Sequence, residues 1–155
     1  MALHLTSPAF SHTGEIPREY TCDGENVSPA LEWKGLPPGC GSLALIVDDP
    51  DAPDPKAPKM TYVHWVLYDI PTSEVRIGRG GSPKGARDGK NDWKRTGYGG
   101  PCPPIGRHRY FFKAYALDAM LGDLQTPTKD RLLEAMKGHV IEETQLMGTY
   151  QRSKS

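Results

Sequence analysis

Hydrophobic positions in this chain fall into short blocks separated by proline and glycine, and long helical stripes are rare. The clearest block is Ser42-Leu43-Ala44-Leu45-Ile46-Val47, a continuous run of the kind expected of a strand buried on both faces. It delivers the chain to Asp48 and Asp49. Pro50, Pro53, Pro55 and Pro58 then crowd the stretch before Met60 and predict a rigid loop over a sheet edge, because proline cannot donate to a ladder. Residues 62–70 read as the next strand, stopped by Pro71, and the two-residue period places His64 on one face with Tyr62, Val66 and Tyr68. Residues 107–117 form the strongest strand signal. Parity sets His108, Tyr110 and Phe112 on one face, with Arg109, Phe111, Lys113 and Tyr115 on the other. A guanidinium buried beside Phe111 needs a carboxylate such as Asp48 or Asp51, so Arg109 reads as structural.

The rest of the pattern is less regular. Residues 1–41 hold turn formers at Pro8, Gly14, Pro17, Asp23-Gly24, Pro29 and Pro37-Pro38-Gly39, with room for short strands at 3–5 and 30–33. Residues 76–95 interleave seven basic residues and two aspartates with five glycines, which predicts a long, polar, mobile loop. Its charge could steer an anion to a nearby pocket. With Trp93 as its only aromatic it is a poor surface for stacking nucleic-acid bases. One helix is expected near the C-terminus, capped by Thr126, with Pro127 first, a stripe of Leu132, Leu133 and Met136, and Gly138 at its end. Residues 139–150 read as a closing strand with Gly148 as a candidate bulge. The sum is a mostly β, sandwich-like single domain over residues 1–155, with a peripheral helix near the C-terminus.

Composition narrows the function classes. Lysine plus arginine balances aspartate plus glutamate at 19 each, so charge gives no reason to expect nucleic acid or an acidic membrane as the main partner. No segment approaches transmembrane length, and the N-terminus lacks the apolar run of a signal peptide. Cys22, Cys40 and Cys102 fit neither a zinc knuckle nor a Cys-x-x-Cys motif, so reduced thiols in a cytoplasmic protein are expected; a Cys22–Cys40 bridge would overturn this.

Two stretches carry the candidate chemistry. Asp48-Asp49-Pro50-Asp51-Ala52-Pro53 leads into Tyr62-Val63-His64-Trp65-Val66. Tyr98-Gly99-Gly100-Pro101-Cys102-Pro103-Pro104 leads into Gly106-Arg107-His108-Arg109-Tyr110. Stiff Pro/Gly turns of this kind hold polar groups at the rim of a β-core, which predicts a pocket. Two imidazoles, the Tyr110 hydroxyl and free amides of the Gly-Pro turn would make an oxyanion seat. Asp49 could orient a histidine, accept a proton from a monoanionic phosphate, or meet an ammonium. An enzyme is the rival: His64, His108, Asp49 and Asp51 are acid/base or metal ligands by type, but no catalytic motif accompanies them. The only nucleophile candidate in the loop is Cys102, read as a small buried thiol that is inert packing. A module that reads a phosphorylated protein partner is a third reading. No cofactor or metal is expected.

The motifs at 48–53, 63–66 and 97–110 resemble the phosphatidylethanolamine-binding protein family, also called Raf kinase inhibitor-like proteins. Weaker similarity extends from Asp-Gly-Glu-Asn-Val-Ser-Pro at 23–29 to the final strand, and the short form with a helix before that strand is similar to the bacterial and archaeal branch. The resemblance implies a β-sandwich of antiparallel sheets with Greek-key connections. It implies a surface pocket for a small anionic ligand, phosphate or phosphoethanolamine-like, formed by Asp49, Asp51, Pro53, His64, Gly100, Pro101, His108 and Tyr110. A kinase-regulating role belongs to the animal relatives, and a homodimer through a sheet face fits the short branch. Cys102 departs from the proline of other members, and Lys59-Met60 from a tyrosine of the animal proteins.

Overall fold

The computed structural model describes residues 2–152. Its strands are β1 (His4–Thr6), β2 (Leu31–Lys34), β3 (Ser42–Ala52), β4 (Met60–Ile70), β5 (Arg76–Ile77), β6 (Arg87–Asp88), β7 (His108–Leu117) and β8 (Val140–Tyr150). One helix, α1 (Lys129–Met136), precedes β8. A small sheet β1-β2-β5 faces a large one ordered β6-β4-β3-β7-β8, with every strand pair antiparallel. Leu5, Leu31, Trp33 and Ile77 of the small sheet share the core with Leu45, Val47, Trp65, Leu67 and Phe112 of the large one. On the outer face, Ala44, Ile46, Val66 and Tyr68 are covered by Leu132 and Met136 of α1. The central strands β3 and β4 are therefore apolar on both faces, as their sequence requires. Asp48 anchors α1 to the sheet, its Oδ2 accepting from Lys129 at 2.7 Å and Lys113 at 3.2 Å.

Several expectations need correction. β3 continues to Ala52 through Pro50, because the β3–β4 ladder shifts register between Asp49 and Ala52 and leaves room for a residue without an N–H. In β4, Val47 pairs with Trp65 but Asp48 with Val63, so His64 is the extra residue of a bulge. His64 stays beside Tyr62, while Val66 and Tyr68 turn to the helix side. The cap of α1 is Thr128, whose side chain accepts from Arg131 N, and Thr126 instead adopts φ 54° before it. Gly148 pairs with Tyr110 in unbroken register and makes no bulge. A Cβ there would lie 2.6 Å from Ile16 and 2.7 Å from Phe10, so the glycine admits the N-terminal segment onto β8.

That segment occupies part of the outer edge of β8. Thr13 N donates to Met147 O at 2.6 Å, Ile16 N to Thr149 O at 2.8 Å, and Thr149 N to Gly14 O at 2.8 Å. The 76–95 stretch, expected to be a mobile loop, supplies β5 to one sheet and β6 to the other. It is pinned by Arg79 to Glu19 and Glu25, and by Arg87 to Asp69. Among the described residues no helix is long and apolar enough to cross a membrane.

Candidate functional site

A cavity of about 340 Å³ opens where the end of β3, the start of β4 and the loop before β7 meet. Asp49, Ala52 and Pro53 come from β3 and its turn, Met60, Tyr62 and His64 from β4, and His108 and Tyr110 from β7. Trp93, Cys102, Pro103 and Pro104 close it. Of the residues predicted for the site, Asp49, Pro53, His64, His108 and Tyr110 are brought together here. Asp51, Gly100 and Pro101 stand behind the wall.

Asp49 and His108 form a buried pair. His108 Nδ1 lies 2.5 Å from Asp49 Oδ2 and its Nε2 2.9 Å from Ile105 O, with both side chains under 5% exposed. Both ring nitrogens thus face acceptors, which suits a doubly protonated ring beside a carboxylate. Asp49 Oδ1 accepts from Asp51 N at 2.7 Å. Neither imidazole nitrogen of His108 is left to donate outward, contrary to the simple oxyanion seat.

His64, by contrast, is neutral. Its Nδ1 must carry the proton, because it donates to the Gly99 carbonyl at 2.8 Å, and Nε2 is then a lone-pair acceptor. Burial pushes its pKa below the ordinary value, against the opposing pull of the Gly99 carbonyl and the Asp49 charge. The rings of Tyr62, Trp93 and Tyr110 pack edge-on around it at 5.4, 5.1 and 5.2 Å. Tyr62 and Tyr110 line the cavity, and burial raises both phenol pKa values, so each hydroxyl is a neutral donor at physiological pH.

The Gly-Pro turn is a buttress and not a source of free amides. Gly99 N donates to His64 O at 2.9 Å, Gly100 N to Asn26 Oδ1 at 2.8 Å, and Pro101 O accepts from Cys22 N at 3.1 Å. This contact brings Cys22 to Cys102, and the two form a disulfide across 80 residues of chain, with Cα atoms 5.4 Å apart. Cys40 is the free thiol. The expectation of three reduced thiols fails, and with it the cysteine argument for a reducing compartment. Cys102 is exposed and bonded, not buried and inert.

Asp51 serves Arg109. Its carboxylate accepts from Arg109 Nε, Nη2 and backbone N, each at 2.9 Å, and the guanidinium holds its pKa below the usual carboxylate range. Arg109 is structural, as parity suggested, but its side chain is about half exposed (51%) and lies over Phe111 instead of being buried. Sequence reasoning missed Tyr62 and Trp93 as wall residues. A lone aromatic inside a glycine-rich basic stretch was the available signal for Trp93. Among the described residues no three of His, Cys, Asp and Glu are gathered to hold a metal ion.

Comparison with known proteins places this geometry. The family model described as phosphatidylethanolamine-binding protein matches residues 6–151. A UPF0098 protein of Methanothermobacter thermautotrophicus is 46% identical over 155 residues, covering 97% of this chain and 99% of its own length. A Chlamydia trachomatis structure described as a homologue of phosphatidylethanolamine-binding protein superposes with TM-score 0.92 at 42% identity, covering 98% of this chain and 99% of its own. An E. coli structure described as a new member of the mammalian family gives TM-score 0.87 at 27% identity, covering 99% and 100%.

Proposed function

Since the chain belongs to the phosphatidylethanolamine-binding protein family, we propose that its 340 Å³ cavity binds a small ligand with a phosphate-like head group and that binding is the endpoint. The observation that carries this reading is the division of roles among the buried polar groups. The Asp49–His108 pair is internally satisfied and fixes the wall. His64 contributes an acceptor, and the Tyr62 and Tyr110 hydroxyls contribute donors. One acceptor with two donors suits a monoanionic phosphate, whose P–OH donates to His64 Nε2 while its other oxygens accept from the tyrosines. A dianion would lose the first bond and face the Asp49 charge.

Affinity for inorganic phosphate should therefore rise as pH falls through neutrality and the dianion takes up its second proton. Sulfate, which carries no proton in that range, should bind this cavity less well. Residue-resolved amide NMR at His64 and Tyr110, between mildly acidic and mildly basic pH, reads both ligands. Equal response to sulfate and phosphate at acidic pH would sink the acceptor assignment. No turnover is expected, because Cys102, the nucleophile candidate of the loop, is bonded to Cys22 and has no thiolate to attack with. Hydrolysis of any member of a phosphoester and carboxyl-ester panel, lost on Tyr110→Phe, would replace binding with catalysis.

A further inference from the structure

Behind Trp93 and the Cys22–Cys102 bridge lies a second cavity of about 250 Å³. Its lining shares only Trp93 and Cys102 with the first. The unpaired charge differs: in the first cavity Asp49 is answered by His108, while the second holds a cation with no carboxylate on its lining. The first cavity has the carboxylate of Asp49 and no lysine or arginine, whereas the second has Arg95 and no aspartate or glutamate. Arg79, Arg87, Arg107, Arg109 and Arg152 each pair with a carboxylate. The Arg95 guanidinium, like those of Arg18, Arg76 and Arg131, makes no such pair among the described residues, and of these four only Arg95 lines this cavity. The neighbouring Asp92 is engaged elsewhere, its Oδ2 accepting from Val63 N at 2.7 Å.

The backbone that presents Arg95 is built and held. Buried Asn91 accepts through Oδ1 from Trp93 N at 3.0 Å and Arg95 N at 3.2 Å, and its Nδ2 donates to Gly97 O at 3.1 Å. Asn91 N closes the turn on Arg95 O at 2.9 Å. Asn26 is oriented by Gly100 N, which donates to its Oδ1, so Nδ2 is available as a donor on the same lining. The Thr96 hydroxyl is a third donor there. A fork-shaped cation with two neutral donors and no carboxylate is the composition that recognises an oxyanion.

We propose that this second cavity is an oxyanion subsite, separate from the first, in which Arg95 supplies the charge and Asn26 and Thr96 the hydrogen bonds to a sulfate- or phosphate-class group. The probe is inorganic sulfate, titrated into the full chain at constant ionic strength and followed by amide NMR. Shifts should centre on Asn26, Arg95 and Thr96. Arg95→Gln should weaken sulfate binding by about tenfold, the scale of a charge-assisted hydrogen bond, while Tyr110→Phe leaves it unchanged. A change of threefold or less in Arg95→Gln, or shifts confined to the first cavity, would overturn the proposal. Loss of the phosphate response at His64 and Tyr110 tests the first cavity alone and leaves this result standing.

Discussion

The two cavities on either side of Trp93 are built on opposite plans. The first is made of strand side chains whose polar groups answer one another: Asp49 to His108, His108 to Ile105, His64 to Gly99. The second is made of a loop whose backbone is tied down while its cation is left open. Residues conspicuous in sequence motifs thus hold the shape of the first cavity as much as they face its contents. Unengaged charge sits in a stretch with no motif. Burial explains the contrast, because a polar group removed from water must be satisfied by the protein, and a rim group need not be.

Three changes test how far that contrast holds. The largest effect should come from Asp49→Ala, which strips the buried His108 ring of its carboxylate and Asp51 N of its acceptor. A loss of ~3 kcal/mol or more in chemical denaturation is expected, as for breaking any buried charge pair. A loss below ~1 kcal/mol would mean that the pair is not the frame of the cavity. Next comes Gly99→Ala, whose added methyl would collide with the Trp93 ring. Displacing the shared wall should cost ~1–3 kcal/mol, the usual range for overpacking, and should alter phosphate response in the first cavity and sulfate response in the second together. A change in one alone would show that Trp93 is not their common wall.

The smallest effect is a pH dependence belonging to the first cavity only. The folded-state pKa of His64 is lowered, so the unfolded chain binds that proton more tightly. Its contribution to stability is complete above ~6.5, the unfolded histidine value, and is lost as pH falls from there towards the lowered folded value. The stability difference between wild type and His64→Gln should shrink across that window, measured by denaturation at successive pH values. Sulfate affinity at Arg95 should stay flat over the same range, because arginine does not titrate there. A parallel decline at both sites would merge them.

Much of this was legible in the chain. Continuous apolar runs marked β3 and β4 as central strands, and the parity of β7 placed His108 and Tyr110 inward and Arg109 outward. What escaped were events that break a period or join distant segments. The bulge at His64 depends on the register that β3 imposes, and nothing within 62–70 announces it. The Cys22–Cys102 bond depends on the approach of residue 101 to residue 22, a tertiary contact. The cap at Thr128 instead of Thr126 was a choice between two threonines flanking the same proline, decided by a positive φ at Thr126. Trp93 sits in a stretch whose composition predicts a solvated loop, and the Asn91 clamp on its backbone is a side-chain feature that composition does not show.

The N-terminal segment on β8 changes what that edge of the sheet offers to a second strand. A terminal strand of a sheet exposes a row of unpaired amides and carbonyls that any second strand can adopt. Here Thr13, Gly14 and Ile16 already occupy the last third of that row, and the missing side chain of Gly148 lets Phe10 and Ile16 lie across it. The open remainder carries Glu142 and Glu143, and Leu3 N reaches over to the Glu142 carboxylate at 2.6 Å. Residues 13–16 thus act as a resident competitor for that part of the sheet's adhesive margin. At those positions, beside Tyr110, β8 is closed to a neighbouring strand.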